Sequence, residues 1–81
     1  MGRTTTVALI DDHQTLLDLL TFAMASEADI EVVGTATTAA EGQRLVERTS
    51  PDVVLLDFAL PDVDGVTLAA TLVDRHPSLR V

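Results

Sequence analysis

Three aspartates are candidates for chemistry because each follows directly after a short apolar run. Asp11 and Asp12 follow residues 6–10, and Asp57 follows residues 53–56. Apolar runs of this length are typical of strands that are buried on both faces of a parallel sheet. Because like charges raise one another's pKa, a cluster of three carboxylates favours a divalent cation such as Mg²⁺. A carboxylate beside that cation can attack phosphorus to give an acyl phosphate.

The rest of the sequence supplies the elements that must position these acids. Strands are predicted over 6–10, 30–36 and 53–56, helices over about 14–26, 38–49 and 66–75, and the start of a fourth strand over 79–81. Strands separated by helices of this length predict parallel βαβ units with right-handed crossovers, and therefore an α/β sheet. The ligand site of such a sheet lies beyond the carboxyl ends of its strands. With the strand order 2-1-3, the three aspartates converge there.

The sequences of the helices predict an apolar stripe and the residues that cap the helices. The first helix is rich in apolar residues at helical spacing, which predicts a wide stripe packed against the sheet. These residues are Leu16, Leu17, Leu19, Leu20, Phe22, Ala23 and Met24. Thr37 or Thr38 is expected to cap the second helix and Asp64 the third, and Asp62 is expected to be a solvated or capping acid of the preceding loop.

Composition excludes several classes of function. The 81 residues carry a formal net charge of −8, and all five basic residues are arginines, so direct contact with nucleic acid is not expected. The absence of cysteine excludes disulfides and thiolate zinc sites. The apolar runs fall far short of the roughly 20 residues that cross a bilayer. We therefore expect a cytoplasmic protein that does not enter a membrane.

Two motifs and their separation carry a resemblance to a known family. They are the segments 9–13, Leu-Ile-Asp-Asp-His, and 57–65, Asp-Phe-Ala-Leu-Pro-Asp-Val-Asp-Gly, and residues 50–56 lead into the second. The chain closely resembles the receiver domain of bacterial two-component response regulators. The Asp-Asp-His version resembles the LuxR/NarL-type subfamily, which carries a helix-turn-helix output domain. The resemblance implies a flavodoxin-like (CheY-like) fold, of which 1–81 would be the N-terminal part, without an output domain.

The resemblance also implies a role for each acid. Asp57 would be the phosphoacceptor nucleophile, which receives a phosphoryl group from a sensor histidine kinase. Asp12 would bind Mg²⁺ directly, Asp11 mainly through a water molecule, and Asp57 and the backbone carbonyl of Ala59 would complete the protein's ligands. The chain would be a substrate and a switch for transcription rather than an enzyme.

Other residues near these motifs have plainer interpretations. Pro61 and Gly65 would shape the loop above the site, since proline fixes φ and glycine permits positive φ. His13 is expected to be structural rather than a proton shuttle or a metal ligand. His76 is expected to be a solvated residue at the end of the last helix.

Two functional residues of a complete receiver have no counterpart in this sequence. The family's hydroxyl residue and its lysine would lie beyond residue 81, and the chain contains no lysine. The alternative function is therefore a phosphorylation-incompetent fragment or pseudo-receiver that acts only in protein interaction or dimerisation. In such a fragment the third strand would be partly bare. We therefore expect the chain to pair with a second copy or to swap domains through the edge of the third and fourth strands, or else to be only partly folded.

Two further functions fit the sequence less well. A phosphatase of the haloacid dehalogenase type needs a second aspartate where this chain has Ala59. Binding of a nucleotide at the first strand needs a glycine-rich loop, which is also missing from the sequence.

Overall fold

Three parallel strands alternate with three helices in a computed structural model that describes residues 4–81. The elements are β1 (Thr5–Ile10), α1 (Gln14–Ala25), β2 (Ile30–Ala36), α2 (Ala39–Thr49), β3 (Val53–Leu56) and α3 (Gly65–Arg75). The strand order β2-β1-β3 confirms the order predicted from the sequence. None of the helices in this part of the chain is long and apolar enough to span a membrane.

The register of the sheet brings the ends of the strands to one level. Ile10 of β1 pairs with Ala36 of β2 on one side and with Leu56 of β3 on the other. The next residues along the chain are tied in the same way. The Asp11 N–H donates to the carbonyl of Ala36 at 3.0 Å, and the Asp57 N–H donates to the carbonyl of Ile10 at 2.9 Å. Both aspartates therefore leave adjacent strands side by side.

Each face of the sheet has its own apolar core. On the α1 face, Leu17 packs with Val7 and Leu9 of β1. The other face holds the larger core, which α2 and α3 cover. Its buried members include Ala8, Ile10, Leu45, Val46, Val54, Leu68 and Leu72. The two-sided burial of β1 is what its continuous apolar sequence predicts.

The wide apolar stripe predicted for α1 is only partly buried, and this expectation was wrong. Leu17 is buried, and Leu20 and Met24 pack at the edge of the core. By contrast, Leu19 is 63% exposed and Phe22 is 72% exposed. A helix packed on a sheet buries only the stripe that faces the sheet, and the residues beside that stripe need a neighbouring helix to cover them. Within residues 4–81, α1 is the only helix on its face.

β3 is the outer strand, and its far side is partly bare, as the sequence predicted. Arg80 forms a parallel bridge with Val53, which confirms the predicted start of a fourth strand. The Val54 N–H donates to the Arg80 carbonyl at 2.8 Å. Beyond this bridge, Leu55 is 42% exposed.

The helix caps agree with the sequence signals. The Thr38 hydroxyl accepts from the Glu41 N–H and caps α2, and Asp64 accepts from the Thr67 N–H and caps α3. α2 ends at Ser50, which adopts the left-handed conformation with φ 46°. Both predicted caps are thus confirmed, and they fix where α2 and α3 begin.

Candidate functional site

Four side chains meet at the carboxyl edge of the sheet. Asp11, Asp12, His13 and Asp57 each place one potential ligand atom within 4.8 Å of all the others. The structure thus brings together the three acids that the sequence singled out, and it adds His13. Because carboxylates this close repel one another, the cluster favours a positive charge beside it.

Asp11 and Asp57 are held in place by the sheet itself. Their backbone N–H groups continue the hydrogen bonding of β1 and β3 at its carboxyl edge. The Asp11 side chain is 16% exposed and that of Asp12 is 35% exposed, so Asp11 lies deeper in the edge. A small cavity of about 140 Å³ opens beside Asp11 and Asp57 on the α1 side of the sheet. The acids therefore border a space that is accessible to a small ligand.

Ala59 contacts the Asp57 carboxylate through its backbone N–H, which lies 3.2 Å from Oδ1. This bond was not expected from the sequence. The predicted role of the Ala59 carbonyl as a metal ligand stays a prediction.

His13 contacts two of the three acids, whereas the sequence predicted only a structural role for it. Its Nδ1 lies 2.8 Å from Oδ1 of Asp11 and 2.9 Å from Oδ1 of Asp12. The hydrogen bond to Asp11 and then the charges of Asp12 and Asp11 raise the pKa of the imidazole. The His13 side chain does not cap α1, although it occupies the N-cap position. The signal that sequence reasoning undervalued is the position of His13 directly after two acids.

Gly65 lets α3 start against the backbone that carries Asp57. The buried Gly65 donates its N–H to the carbonyl of Phe58 at 3.0 Å. A Cβ atom on Gly65 would lie 2.5 Å from the Phe58 Cα and 2.7 Å from the Asp57 carbonyl oxygen. The position therefore needs glycine because of a close approach, and no positive φ is involved.

Asp62 connects the loop after Asp57 to α2. Its Oδ1 accepts from the Ala39 N–H at 2.8 Å, and its Oδ2 accepts from the Ala40 N–H at 3.1 Å. The bond from Ala39 lowers the pKa of Asp62. Asp62 is thus a capping acid, which the sequence allowed, but the helix that it caps lies more than 20 residues earlier in the chain.

The profile of the family described as "Response regulator receiver domain" matches residues 7–81. The transcriptional regulatory protein YhcZ of Bacillus subtilis is 36% identical over 75 residues, which are 93% of this chain and 35% of YhcZ. A protein-glutamate methylesterase/protein-glutamine glutaminase of Oleidesulfovibrio alaskensis is 35% identical over 77 residues, 95% of this chain and 22% of that protein.

A solved structure shows the same fold. The signal receiver domain of the response regulator NarL from Mycobacterium tuberculosis superimposes with a TM-score of 0.90 and is 30% identical; the match covers 99% of this chain and 64% of that one. The chain thus spans about a third or less of the two curated relatives. One of these relatives is named as a transcriptional regulatory protein and the other as an enzyme.

Proposed function

This chain belongs to the family of response regulator receiver domains, with relatives among regulators of the LuxR/NarL type, and on that premise we propose that Asp57 accepts a phosphoryl group from a sensor histidine kinase. The observation that carries the proposal is the meeting of Asp57 with Asp11 and Asp12, whose ligand atoms lie within 4.8 Å of one another. A single acid at a strand end is an ordinary surface feature, whereas three at one edge form a site for a cation and a phosphoryl group.

The donor set fits Mg²⁺. Magnesium prefers oxygen ligands and is usually held by one or two carboxylates together with waters and phosphate oxygens. Asp12 would hold it directly, Asp11 mainly through water, and Asp57 and the Ala59 carbonyl would complete the set. When bound, Mg²⁺ neutralises charge on the oxygens of the transferring group.

The two carboxylate oxygens of Asp57 have different roles in the transfer step. Oδ1 accepts from the Ala59 N–H, which orients the carboxylate and leaves Oδ2 to attack. As the bond from Oδ2 to phosphorus forms, the bond from phosphorus to the kinase's imidazole nitrogen breaks, and that nitrogen keeps the electron pair. The other ring nitrogen of the phosphohistidine carries a proton during this step, so the products are an aspartyl phosphate and a neutral histidine on the kinase.

In this proposal the chain is a substrate and a switch. The phosphoryl group adds a charge of about −1.5 to −2 and three acceptor oxygens, which can shift a loop between two states. The loop after Asp57 reaches α2 through Asp62, so that contact is a route for the change. By analogy with YhcZ, the output would be regulation of transcription. The other relative is named as a methylesterase, but this chain matches only 22% of that protein.

Intact-mass spectrometry tests the phosphoacceptor directly. The chain is incubated with a small acyl-phosphate donor, with and without Mg²⁺. We expect one phosphoryl adduct that requires Mg²⁺ and disappears completely in Asp57→Ala. The matched control is Asp74→Ala, which removes an exposed aspartate from α3 and should leave the adduct unchanged.

Two results would contradict the proposal. An adduct that persists in Asp57→Ala would place the acceptor elsewhere. The absence of any adduct on a folded chain would favour the alternative function, a pseudo-receiver that acts only through protein contacts.

That second candidate rests on the bare side of β3. A groove of about 630 Å³ runs along it between β3 and α3, and its walls are mostly apolar. Leu55, Phe58 and Val73 are exposed in this groove. A row of exposed apolar side chains beside an outer strand is a template for pairing, and we propose a second copy of this chain as its occupant, either as a dimer or by domain swapping.

Sedimentation velocity tests the pairing. We expect the 81-residue chain to sediment as a dimer and Leu55→Asn to shift it to a monomer. Leu19→Asn is the matched control, because Leu19 is also an exposed leucine but lies on α1, away from the groove. A wild-type monomer that unfolds cooperatively would contradict the pairing.

A further inference from the structure

His13 lies directly over the two acids that are expected to hold the cation. Its Nδ1 is 2.8 Å from Asp11 Oδ1 and 2.9 Å from Asp12 Oδ1, so one nitrogen touches both carboxylates. The imidazole is 69% exposed, and neither the apolar core nor a helix cap accounts for its position. The contacts with the acids are what hold it there.

These distances match the spacing of ligands around a metal ion. In an octahedron with bonds of about 2.0–2.1 Å, neighbouring ligand atoms are about 2.9 Å apart. Metal–nitrogen bonds to imidazole have a similar length of about 2.0–2.1 Å. A cation placed against Asp11 and Asp12 would therefore have the His13 nitrogen at ligand distance without a large movement of the ring.

We propose that His13 is a metal ligand of this site and that it raises the affinity of the site for transition-metal ions relative to its affinity for Mg²⁺. This inference rests on the proposed function, because it concerns the same cation site. Carboxylates and water suit Mg²⁺, whereas imidazole suits ions such as Co²⁺, Ni²⁺ and Zn²⁺, whose affinity for nitrogen is higher. The three carboxylates alone suit Mg²⁺, and the added imidazole raises the affinity for the ions that prefer nitrogen more than it raises the affinity for Mg²⁺.

A different role for His13 makes an opposite prediction. If the ring only balances the charge of the acids, a cation must displace it. Removal of the ring would then raise the affinities for all divalent cations together. Loss of a ligand would instead lower the affinity for the ions that prefer nitrogen.

Metal titration of His13→Ala separates these roles. Isothermal titration calorimetry with Mg²⁺ alone and with Co²⁺ alone gives both affinities, and the visible absorption of bound Co²⁺ reports its ligands. We expect the ratio of the Co²⁺ to the Mg²⁺ affinity to fall by about tenfold or more, as for comparable losses at metal sites. The Co²⁺ spectrum should change as oxygen replaces nitrogen. His13→Ala leaves the start of α1 intact because the side chain does not cap it.

The other histidine supplies the matched control. His76 lies at the end of α3, away from the acids, so His76→Ala should preserve both affinities and the spectrum.

Equal changes of the two affinities in His13→Ala, in either direction, would overturn the inference, as would no change. If the wild-type chain binds neither ion, the cation site of the proposed function fails as well. If it binds Mg²⁺ and is phosphorylated on Asp57 while His13→Ala keeps the ratio, only the role of His13 is refuted.

Discussion

Two aspartates that flank β3 lie at opposite ends of the sheet and in opposite surroundings. At the amino end, Asp52 Oδ2 accepts from the Thr6 N–H at 2.9 Å and from the Thr6 hydroxyl at 3.1 Å. The Asp52 N–H donates in return to the Thr6 hydroxyl at 2.9 Å. This reciprocal set joins β3 to β1, and the carboxylate is well supplied with donors.

At the carboxyl end, Asp57 has the reverse arrangement. Within residues 4–81, its carboxylate accepts one hydrogen bond, from the Ala59 N–H, and it faces two further acids. A carboxylate that accepts hydrogen bonds stabilises the fold, whereas a carboxylate among like charges destabilises it. The same residue type thus serves stability at one end of a strand and, in the proposed function, reactivity at the other, which is called the reactive end below.

Substitution of Gly65 should have the largest effect, because it moves the reactive end without removing a charge. The new methyl group of Gly65→Ala would meet the backbone of Phe58 and Asp57 at 2.5 and 2.7 Å. We expect a loss of about 3 kcal/mol in the free energy of unfolding, the upper end for an inserted methyl group. Urea denaturation measures the loss, and phosphoryl uptake should fall because Asp57 is displaced.

Gly34→Ala provides the control for that variant. Its Cβ would also be close to a neighbour, 2.6 Å from Leu45 Cδ1, but that atom is the end of a flexible side chain. We therefore expect a smaller loss of stability and unchanged phosphoryl uptake. Equal losses in the two glycine variants would show that the backbone contact at Gly65 has no special role.

Removal of Asp52 tests the stabilising end of the strand. Asp52→Ala leaves the partly buried N–H and hydroxyl of Thr6 without these acceptors, so we expect a loss of about 2 kcal/mol. Asp57→Ala should change the free energy of unfolding by no more than about 0.5 kcal/mol, or raise it, since it removes repulsion. Urea denaturation without divalent cations compares the two.

Asp52→Asn refines that comparison because the amide keeps one acceptor oxygen. It should recover part of the loss seen in Asp52→Ala. If Asp57→Ala is as destabilising as Asp52→Ala, the division of the strand into a stabilising end and a reactive end is wrong.

The sequence was sufficient to predict the sheet and the convergence of the acids. Continuous apolar runs that stop at Asp11 and Asp57 predicted both strands, and the strand order then placed their ends together. Such features arise from local periodicity and from the handedness of βαβ units. The exposure of Phe22 could not be predicted in this way, because it depends on which helices share its face of the sheet.

Contacts between distant residues were also beyond the sequence pattern. Asp52 and Thr6 are 46 positions apart, and nothing in either segment indicates their pairing. The position of His13 against Asp11 depends on a side-chain torsion that residue spacing does not determine. Side-chain contacts of this kind distinguish residues that look alike in the sequence.

Asp62 offers the test with the smallest expected effect. It lies in the loop after Asp57, but its carboxylate accepts hydrogen bonds from backbone N–H groups, as that of Asp52 does. The bonds from Ala39 and Ala40 lower its pKa from the ordinary value of 3.8. The stabilisation by the charged form is therefore complete above that value and is lost as pH falls through the lowered pKa. We expect Asp62→Asn to unfold at lower urea than wild type at about pH 6, by less than Asp52→Ala, with the difference shrinking by about pH 2.5. Asp74→Asn, an exposed acid outside this contact, should show no such trend. A difference for Asp62→Asn that is constant with pH would mean that the capping bonds do not depend on the charge, and Asp62 would then be a spacer between the loop and α2.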